Sequence, residues 1–142
     1  MPLKSPLILL ADDSKADCKV IQIALKRLES PFLLKTVGDG SALIQALKSK
    51  AKRPDLVLLD LNMPVKNGFE ALREIKADED LKEIPIVIWS TSSNLADITA
   101  AYRLGANAYF QKPDSLPKAV MTMRAVTNFW LQAARPKQAK AA

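Results

Sequence analysis

The feature that most restricts the fold is a regular alternation of short apolar runs with longer amphipathic segments. The apolar runs are rich in Val, Ile and Leu and have the length of buried strands; they occupy residues 6–11, 31–37, 55–59, 84–89 and 107–111. The segments that follow them show helical spacing of apolar residues, at 14–29, 39–50, 68–76, 94–104 and 115–134. This pattern predicts an α/β fold of the (βα)5 type, in which helices cover both faces of a parallel sheet.

Local signals set the expected ends of these helices. Ser14 is a predicted N-cap, Pro117 fits a first helical turn, and Gly105 stops the fourth helix. We expect one domain over residues 1–134 and a short basic tail over 135–142, because no linker or internal repeat divides the chain. The residues of the first helix that we expect to face the core are Ala16, Val20, Ile23, Ala24 and Leu28.

The composition excludes several kinds of chemistry. The chain has no histidine, so it offers no imidazole base, no phosphohistidine and no histidine metal ligand. It has one cysteine, Cys18, which rules out a disulfide within the chain and favours a reducing compartment such as the cytoplasm. We interpret Cys18 as a small structural residue. A reactive site must therefore rest on carboxylates, lysines, hydroxyls and a hard cation.

The net charge is +6, and the positive residues are scattered along the predicted helices. A solvated basic surface is a simpler interpretation than a nucleic-acid site, since no recognition helix remains to be placed after the last helix. No apolar run approaches the roughly 18 residues of a membrane-spanning helix, and acidic residues come too early for a secretory signal. We therefore expect a cytoplasmic protein that binds neither nucleic acid nor membrane.

Polar residues occur where four of the predicted strands end. In an open α/β sheet, ligands bind at the carboxyl ends of the strands, so the fold would bring these residues to one edge. The candidate site residues are Asp12 and Asp13 after the first strand, Asp60 after the third, Ser90 and Thr91 after the fourth, and Lys112 after the fifth.

These residue types suit one kind of chemistry. Three carboxylates at one edge repel one another unless one takes up a proton or a cation neutralises them, and Mg²⁺ binds through carboxylates, waters and a phosphate. Lys112 is suited to one phosphoryl oxygen, and Ser90 can hydrogen-bond another. Asp60 is the candidate nucleophile, since carboxylates can form aspartyl phosphates.

Taken singly, the same residues have simpler interpretations. An acidic pair complements the dipole at a helix N-terminus, and a lone aspartate is often a turn residue. The joint placement at four strand ends favours a phosphoryl-binding site over these alternatives.

Four segments together resemble the receiver domains of two-component response regulators. The segments are ILLADDS with the acidic pair, LVLLDLNMPVKNGFEAL with the phosphoacceptor, IPIVIWSTSS with the switch hydroxyl, and GANAYFQKP with the switch aromatic and the lysine. The resemblance covers residues 6–134. It implies a flavodoxin-like, doubly wound sheet of five parallel strands in the order 2-1-3-4-5. Ser90 stands where threonine is commoner in the family, and it keeps the hydroxyl donor.

The resemblance also implies a role for each site residue. Asp60 is the phosphoacceptor, Tyr109 is the aromatic that follows the movement of Ser90, and the bond from Lys112 to Pro113 is expected to be cis. The residues that hold Mg²⁺ are Asp12, Asp13, Asp60 and, through its backbone carbonyl, Asn62. The residues that bind the phosphoryl group are Ser90, Thr91 and Lys112.

The implied function is that of a single-domain response regulator, which takes its phosphoryl group from a sensor histidine kinase. The segments KADEDLKEIP and WSTSS make the chain similar to small receivers paired with bacterial phytochrome-type kinases. Output would pass to a downstream protein target or to a phosphotransfer protein. We expect no enzymatic activity beyond autocatalytic phosphotransfer and autodephosphorylation.

The last helix is apolar over much of its surface. The residues of its expected core stripe are Leu116, Val120, Met123, Val126 and Trp130. The apolar residues partly outside this stripe are Met121, Phe129, Leu131, Ala133 and Ala134. They either widen the core stripe or form a homodimer or partner surface with the fourth helix and the fifth strand. Trp89 is expected to pack in the core.

Three other functions compete with a phosphorylation switch. A flavodoxin-like cofactor binder is disfavoured because Asp12 and Asp13 would repel a phosphate. A Mg²⁺-dependent phosphohydrolase is disfavoured because we find no additional base or substrate pocket. A phosphorylation-independent, receiver-like binding module is disfavoured by the joint presence of Asp13, Asp60 and Lys112.

Overall fold

Five parallel strands form one sheet in the order β2-β1-β3-β4-β5. The computed structural model describes residues 5–133. Its strands are β1 (Leu7–Ala11), β2 (Leu33–Val37), β3 (Leu56–Leu59), β4 (Ile86–Ser90) and β5 (Ala108–Gln111). In the register of the sheet, Leu9 of β1 lies between Lys35 of β2 and Val57 of β3. The predicted doubly wound topology is therefore confirmed.

Helices alternate with the strands. They are α1 (Lys15–Lys26), α2 (Gly40–Lys48), α3 (Gly68–Ala77), α4 (Leu95–Arg103) and α5 (Leu116–Thr127). A side chain just before each helix accepts a hydrogen bond from a backbone N–H of the first turn; these N-caps are Ser14, Asp39, Asn67, Asn94 and Ser115. Because the caps are strong local signals, each helix begins at its predicted start or one residue after it.

The sheet is buried between two layers of helices. Along β1, Leu9 and Ala11 belong to the layer of α2, α3 and α4, whereas Ile8 and Leu10 belong to the layer of α1 and α5. β3 and β4 alternate in the same way, because successive strand residues point to opposite faces. Trp89 of β4 is buried in the layer of α1 and α5, as expected of a core residue.

The buried face of α1 agrees in part with the predicted one. Ala24 is buried, and Val20 and Leu28 pack against the core as expected. The other buried residues are Ile21 and Leu25, whereas Ala16 is exposed and Ile23 is only partly buried. The sequence of this helix contains two overlapping apolar stripes, and packing against the sheet and α5 selects the stripe that contains Ile21 and Leu25. Helical spacing alone does not distinguish between them.

The last helix changes its geometry at its end. α5 ends at Thr127, and Asn128–Ala133 continue as a short π-helix, so the predicted helix over 115–134 is not α-helical throughout. The Thr127 hydroxyl donates to the carbonyl of Met123 (2.8 Å), a side-chain bond of the kind that bends helices. Ala134 and the tail at 135–142 lie outside the described residues. Within residues 5–133, no helix has both the length and the apolar character needed to cross a membrane.

The expected core stripe of α5 is confirmed. Met123 and Val126 are buried, and the partly buried residues packed against the same layer are Leu116, Val120 and Trp130. Leu131 also packs there, whereas Met121 and Phe129 remain exposed. Met121 and Phe129 therefore lie outside the core.

Candidate functional site

The carboxyl ends of β1, β3, β4 and β5 meet at one edge of the sheet, as the sequence predicted. Asp12 and Asp60 directly follow β1 and β3, and Ser90 is the last residue of β4; all three are buried. Backbone hydrogen bonds continue the sheet beyond the strands, because the Asp60 N–H donates to the Ala11 carbonyl (2.9 Å) and the Lys112 N–H donates to the Ser90 carbonyl (2.7 Å). The sheet therefore fixes the backbone of the site.

Asp12, Asp13 and Asp60 form an acidic cluster. One carboxylate oxygen of each lies within 4.8 Å of those of the other two, and Asp13 is the exposed member. The buried Oδ2 atom of Asp12 has no hydrogen bond of good geometry, although the Nζ atom of Lys112 is 2.7 Å away. Hard oxygen ligands with one under-satisfied buried atom suit a divalent cation, so the residues present fit a metal site.

Burial raises the pKa of the Asp60 carboxyl to about 6. The positive charge of Lys112 opposes this increase, whereas the negative charge of Asp12 adds to it. In the absence of a cation, Asp60 therefore titrates well above the ordinary range of an aspartate. A bound cation would favour its ionised form.

Lys112 lies at the centre of the charged groups. Its Nζ atom is 2.7 Å from Asp12 Oδ2, 2.7 Å from Asp17 Oδ2 and 3.6 Å from Asp60 Oδ2. Burial disfavours the charged ammonium, but the bonds to Asp12 and Asp17 outweigh this effect and raise the pKa of Lys112 above its usual value. Lys112 therefore carries a full positive charge beside Asp60 at any physiological pH.

The loop between β3 and α3 holds Asp60 by a close backbone contact. A Cβ atom on Gly68 would lie 2.3 Å from the carbonyl oxygen of Asp60, so only glycine allows α3 to begin here. Asn62 is exposed, and its backbone N–H donates to Asp60 Oδ1 at 3.5 Å. The predicted role of the Asn62 carbonyl as a metal ligand stays a prediction.

Ser92 links the hydroxyl of Ser90, the last residue of β4, to the hydroxyl of Tyr109. The Ser92 N–H donates to Ser90 Oγ (3.1 Å), and the hydroxyl of half-buried Tyr109 donates to the Ser92 carbonyl (2.8 Å). Ser92 Oγ also donates to Asp97 of α4 (2.7 Å). Thr91 is exposed, and its carbonyl accepts a hydrogen bond from the side-chain amide of Gln111 (3.4 Å). Ser90 and Tyr109, the predicted switch hydroxyl and switch aromatic, are thus linked by two hydrogen bonds through the backbone of Ser92.

The expected cis bond before Pro113 is wrong for this structure. The peptide bonds of the described residues are all trans, including the one from Lys112 to Pro113. The trans form is favoured by about 0.5–1 kcal/mol in X–Pro bonds, and Lys112 reaches the carboxylates without a cis bond.

Sequence reasoning missed two residues of the site, Asp17 and Ser92. Asp17 occupies the first turn of α1, where an acidic residue is explained by the helix dipole alone. Ser92 lies in a polar loop after β4, where serine is common. Only the three-dimensional arrangement shows that Asp17 reaches Lys112 and that Ser92 joins Ser90 to Tyr109.

A doubly wound sheet that ends in an acidic cluster with a buried lysine is the architecture of a response regulator receiver. The family model of the response regulator receiver domain matches residues 8–123. The chain belongs to this family.

Within the family, the chain is similar to phytochrome response regulators of cyanobacteria. It is 40% identical over 131 residues to response regulator Rcp1 of Synechocystis sp., with 89% of each chain covered. The crystal structure of the phosphorylated cyanobacterial phytochrome response regulator RcpA matches with a TM-score of 0.87 and 39% identity, covering 95% of this chain and 100% of RcpA. The Mn²⁺-bound form of Rcp1 matches with a TM-score of 0.84 and 38% identity, covering 94% of this chain and 99% of that structure.

Proposed function

We propose that Asp60 accepts a phosphoryl group from a sensor histidine kinase in a Mg²⁺-dependent reaction. The observation that carries this proposal is the position of the buried Asp60 carboxylate, beside Asp12 and Asp13 and 3.6 Å from the ammonium of Lys112. This arrangement places a nucleophile, cation ligands and a fixed positive charge around one point.

The cation would be held by Asp12, Asp13, Asp60 and the carbonyl of Asn62. When bound, Mg²⁺ neutralises the acidic cluster and polarises a phosphoryl oxygen. The Mn²⁺ in the Rcp1 structure supports a divalent cation at the corresponding acidic site. We choose Mg²⁺ because it binds through few carboxylates and accepts a phosphate oxygen as a further ligand.

A phosphohistidine donor must lie on another protein, because this chain contains no histidine. An Asp60 oxygen attacks the phosphorus of the phosphohistidine in line with the P–N bond. The new P–O bond forms as the P–N bond breaks, and the imidazole nitrogen keeps the electron pair and takes up a proton. Lys112 and the Ser90 hydroxyl stabilise the negative charge of the phosphoryl oxygens. Later attack by water on the phosphorus releases inorganic phosphate and restores the Asp60 carboxylate.

Phosphorylation would act through the bonds around Ser92. If Ser90 closes on a phosphoryl oxygen, its bond to the Ser92 N–H changes, and the Ser92 carbonyl holds the Tyr109 hydroxyl. The movement would thus reach β5 and the N-terminus of α4, where Ser92 also bonds Asp97. We infer a shift between two pre-existing states, with α4, β5 and α5 as the output face.

The proposed partners follow from the family and its relatives. The likeness to Rcp1 and to RcpA supports a phytochrome-type sensor kinase as the phosphodonor. A downstream protein or a phosphotransfer protein would read the output face, in the cytoplasm where such kinases present their phosphohistidine. Neither nucleic acid nor membrane is proposed as a partner.

The test is phosphorylation with acetyl phosphate and Mg²⁺, read by intact mass. One phosphoryl adduct is expected for the wild type, and none without Mg²⁺ or in Asp60→Asn. Asp80→Asn is the matched control, because this exposed residue lies in the segment after α3, away from the strand ends that form the site. A folded wild type that binds Mg²⁺ and takes no adduct would instead indicate a phosphorylation-independent binding module.

A further inference from the structure

The ammonium of Lys112 is bound more closely to Asp17 than to the phosphoacceptor. The distance from Nζ to Asp17 Oδ2 is 2.7 Å, whereas the distance to Asp60 Oδ2 is 3.6 Å. Asp17 comes from the first turn of α1, and Lys112 follows β5, so this contact joins elements that are 95 residues apart in sequence. A residue outside the metal-binding cluster therefore positions Lys112 together with Asp12.

The capping of α1 leaves the Asp17 carboxylate free to make this contact. Ser14 Oγ accepts the backbone N–H of Asp17 (3.1 Å), while the Ser14 N–H donates to Asp12 Oδ1 (2.9 Å). In a capping box, an acidic side chain at the position of Asp17 would turn back to the N–H of the cap residue. Asp12 already accepts that N–H, and Asp17 turns to Lys112 instead.

We propose that Asp17 is a positioning residue that holds Lys112 away from the phosphoryl position and competes with the phosphoryl group for its ammonium. This inference rests on the proposed function and adds a form of regulation to the same site. In the resting arrangement Lys112 is paired with Asp12 and Asp17. In the phosphorylated arrangement Lys112 moves toward the new oxygens on Asp60, and its contact with Asp17 weakens or breaks.

The competition follows from the geometry of an ammonium group. Nζ carries three protons; it donates a hydrogen bond to Asp17 Oδ2 at 2.7 Å and forms an ion pair with Asp12 Oδ2 at 2.7 Å. The distance of 3.6 Å to Asp60 is too long for a good hydrogen bond. The Asp17 side chain is 38% exposed, whereas Asp12 is fully buried, so the pair with Asp17 is the weaker of the two and the one that can open.

The test is the affinity for beryllofluoride, a phosphoryl analogue that bonds to a carboxylate oxygen, measured at saturating Mg²⁺. Binding is followed by ¹⁹F NMR and by the fluorescence of Trp89, which is buried beside Ser90. Asp17→Asn keeps the size and one oxygen of the side chain but removes its charge. We expect it to bind beryllofluoride about 2–5-fold more tightly, the effect of losing one partly exposed ion pair.

Two control variants separate this contact from general effects. Asp114→Asn removes one negative charge two residues from Lys112 in sequence, but Asp114 pairs with Lys118, so its affinity should change less than about twofold. In a Lys112→Ala background, the effect of Asp17→Asn should disappear, because Asp17 acts through Lys112. If Asp17→Asn acted only by removing a charge that stabilises α1, it would lower stability with and without Lys112. Its effect on beryllofluoride affinity would then not disappear in the Lys112→Ala background.

The possible results separate the inference from the proposed function. Wild type that binds beryllofluoride as tightly as Asp17→Asn, or more tightly, would overturn the role of Asp17 and leave the function intact. An Asp17→Asn effect that persists without Lys112 would also overturn it. Wild type and Asp17→Asn that both fail to bind, at saturating Mg²⁺, would overturn the proposed function and the inference together.

Discussion

At the scale of single residues, the site keeps charges in places where burial alone would remove them. The side chains of Asp60 and Lys112 are both largely buried, and the surroundings of each shift its pKa. Burial is the main cause that raises the pKa of Asp60 to about 6, whereas Asp12 and Asp17 keep Lys112 charged. Both pKa values are raised, which disfavours the charged form of Asp60 and favours that of Lys112. Perturbed pKa values are frequent where a protein performs chemistry. The raised pKa of Asp60 also costs stability at neutral pH, and this cost can be measured.

Removing the carboxylate of Asp60 should stabilise the metal-free protein at neutral pH. Because the pKa of Asp60 is about 6 in the folded state and about 4 in the unfolded state, the folded state binds more protons between these values. Stability from this group is complete below pH 4 and is lost as the pH rises through 6. At pH 7.5, the free energy of unfolding of Asp60→Asn, measured by chemical denaturation, should therefore exceed that of wild type by roughly 1–3 kcal/mol.

The same measurement at pH 4 supplies the control for Asp60. At pH 4 the Asp60 carboxyl of the wild type is largely protonated in the folded state, as neutral as the amide of the variant, so the advantage of Asp60→Asn should be small. Saturating Mg²⁺ at pH 7.5 should reduce the difference as well, since wild type gains stability by binding the cation. An advantage that is equal at the two pH values would show that burial does not raise the pKa of Asp60.

Val65 is a second residue with an unfavourable local environment. It has a positive φ of 66°, which is uncommon for a β-branched residue, and its side chain is 84% exposed. Val65→Gly should relieve a strain of about 1–2 kcal/mol, and the greater entropy of glycine in the unfolded state should offset part of this gain. We expect equal or greater stability by chemical denaturation. Val65→Ala, which keeps a Cβ atom, should gain less, and a loss of more than about 1 kcal/mol in Val65→Gly would contradict the strain.

At the scale of secondary-structure elements, the site depends on how each strand is followed by a helix. The caps Ser14 and Asp39 start α1 and α2 a few residues after the ends of β1 and β2, whereas Asn67 starts α3 after a longer loop. Gly40 and Gly68, which begin α2 and α3, lie against carbonyl oxygens of Lys66 and Asp60. These two glycines bring the helices close enough to the β3–α3 loop to fix Asp60.

Gly68→Ala should disturb the site more than its small size suggests. A Cβ atom at Gly68 would lie 2.3 Å from the Asp60 carbonyl and 2.7 Å from the Leu61 Cα, so backbone must move. We expect a loss of about 2–4 kcal/mol in unfolding free energy, as for other overpacked or strained positions, and slower phosphorylation by acetyl phosphate. Gly38→Ala is the matched control, because a Cβ atom there meets nothing within 4 Å. Equal behaviour of the two variants would show that the close contact does not fix Asp60.

The sequence predicts these elements well because their signals are local. Strand runs, caps and the residues at strand ends can all be read from a few adjacent positions, and the acidic cluster with Lys112 follows from the fold. The contact between Asp17 and Lys112 spans 95 positions, and no local pattern specifies it. The buried face of α1 is selected by packing against the sheet and α5, which the spacing of its apolar residues does not specify. Propensity and spacing therefore predict the frame of the site, but they do not predict which side chain its lysine binds.

At the scale of the whole molecule, most of the large exposed apolar residues belong to the last two α-helices and the π-helix. Six large apolar residues among the described ones are exposed. Four of these belong to α4, α5 and the π-helix: Leu95, Tyr102, Met121 and Phe129. Phe129 packs edge-on against Trp130, with ring centroids 4.8 Å apart, and Trp130 in turn packs against the core. Large exposed apolar residues are typical of interaction surfaces, and we propose that those on α4, α5 and the π-helix form a patch through which two copies of the chain associate.

Phe129→Glu should therefore weaken self-association without unfolding the protein. Burial of a phenylalanine contributes about 1.5–3 kcal/mol, so we expect the dimer dissociation constant in sedimentation equilibrium to rise at least 10-fold. Leu33→Glu is the matched control: Leu33 is 52% exposed, close to the 56% of Phe129, but it lies on the edge strand β2 at the other end of the sheet. If Leu33→Glu weakens association as much as Phe129→Glu, or if wild type is monomeric with and without beryllofluoride, the patch is not a dimer surface. If Phe129→Glu acts only in the presence of beryllofluoride, phosphorylation of Asp60 controls the association, because the bonds from Ser90 through Ser92 to Tyr109 lead from the site to β5.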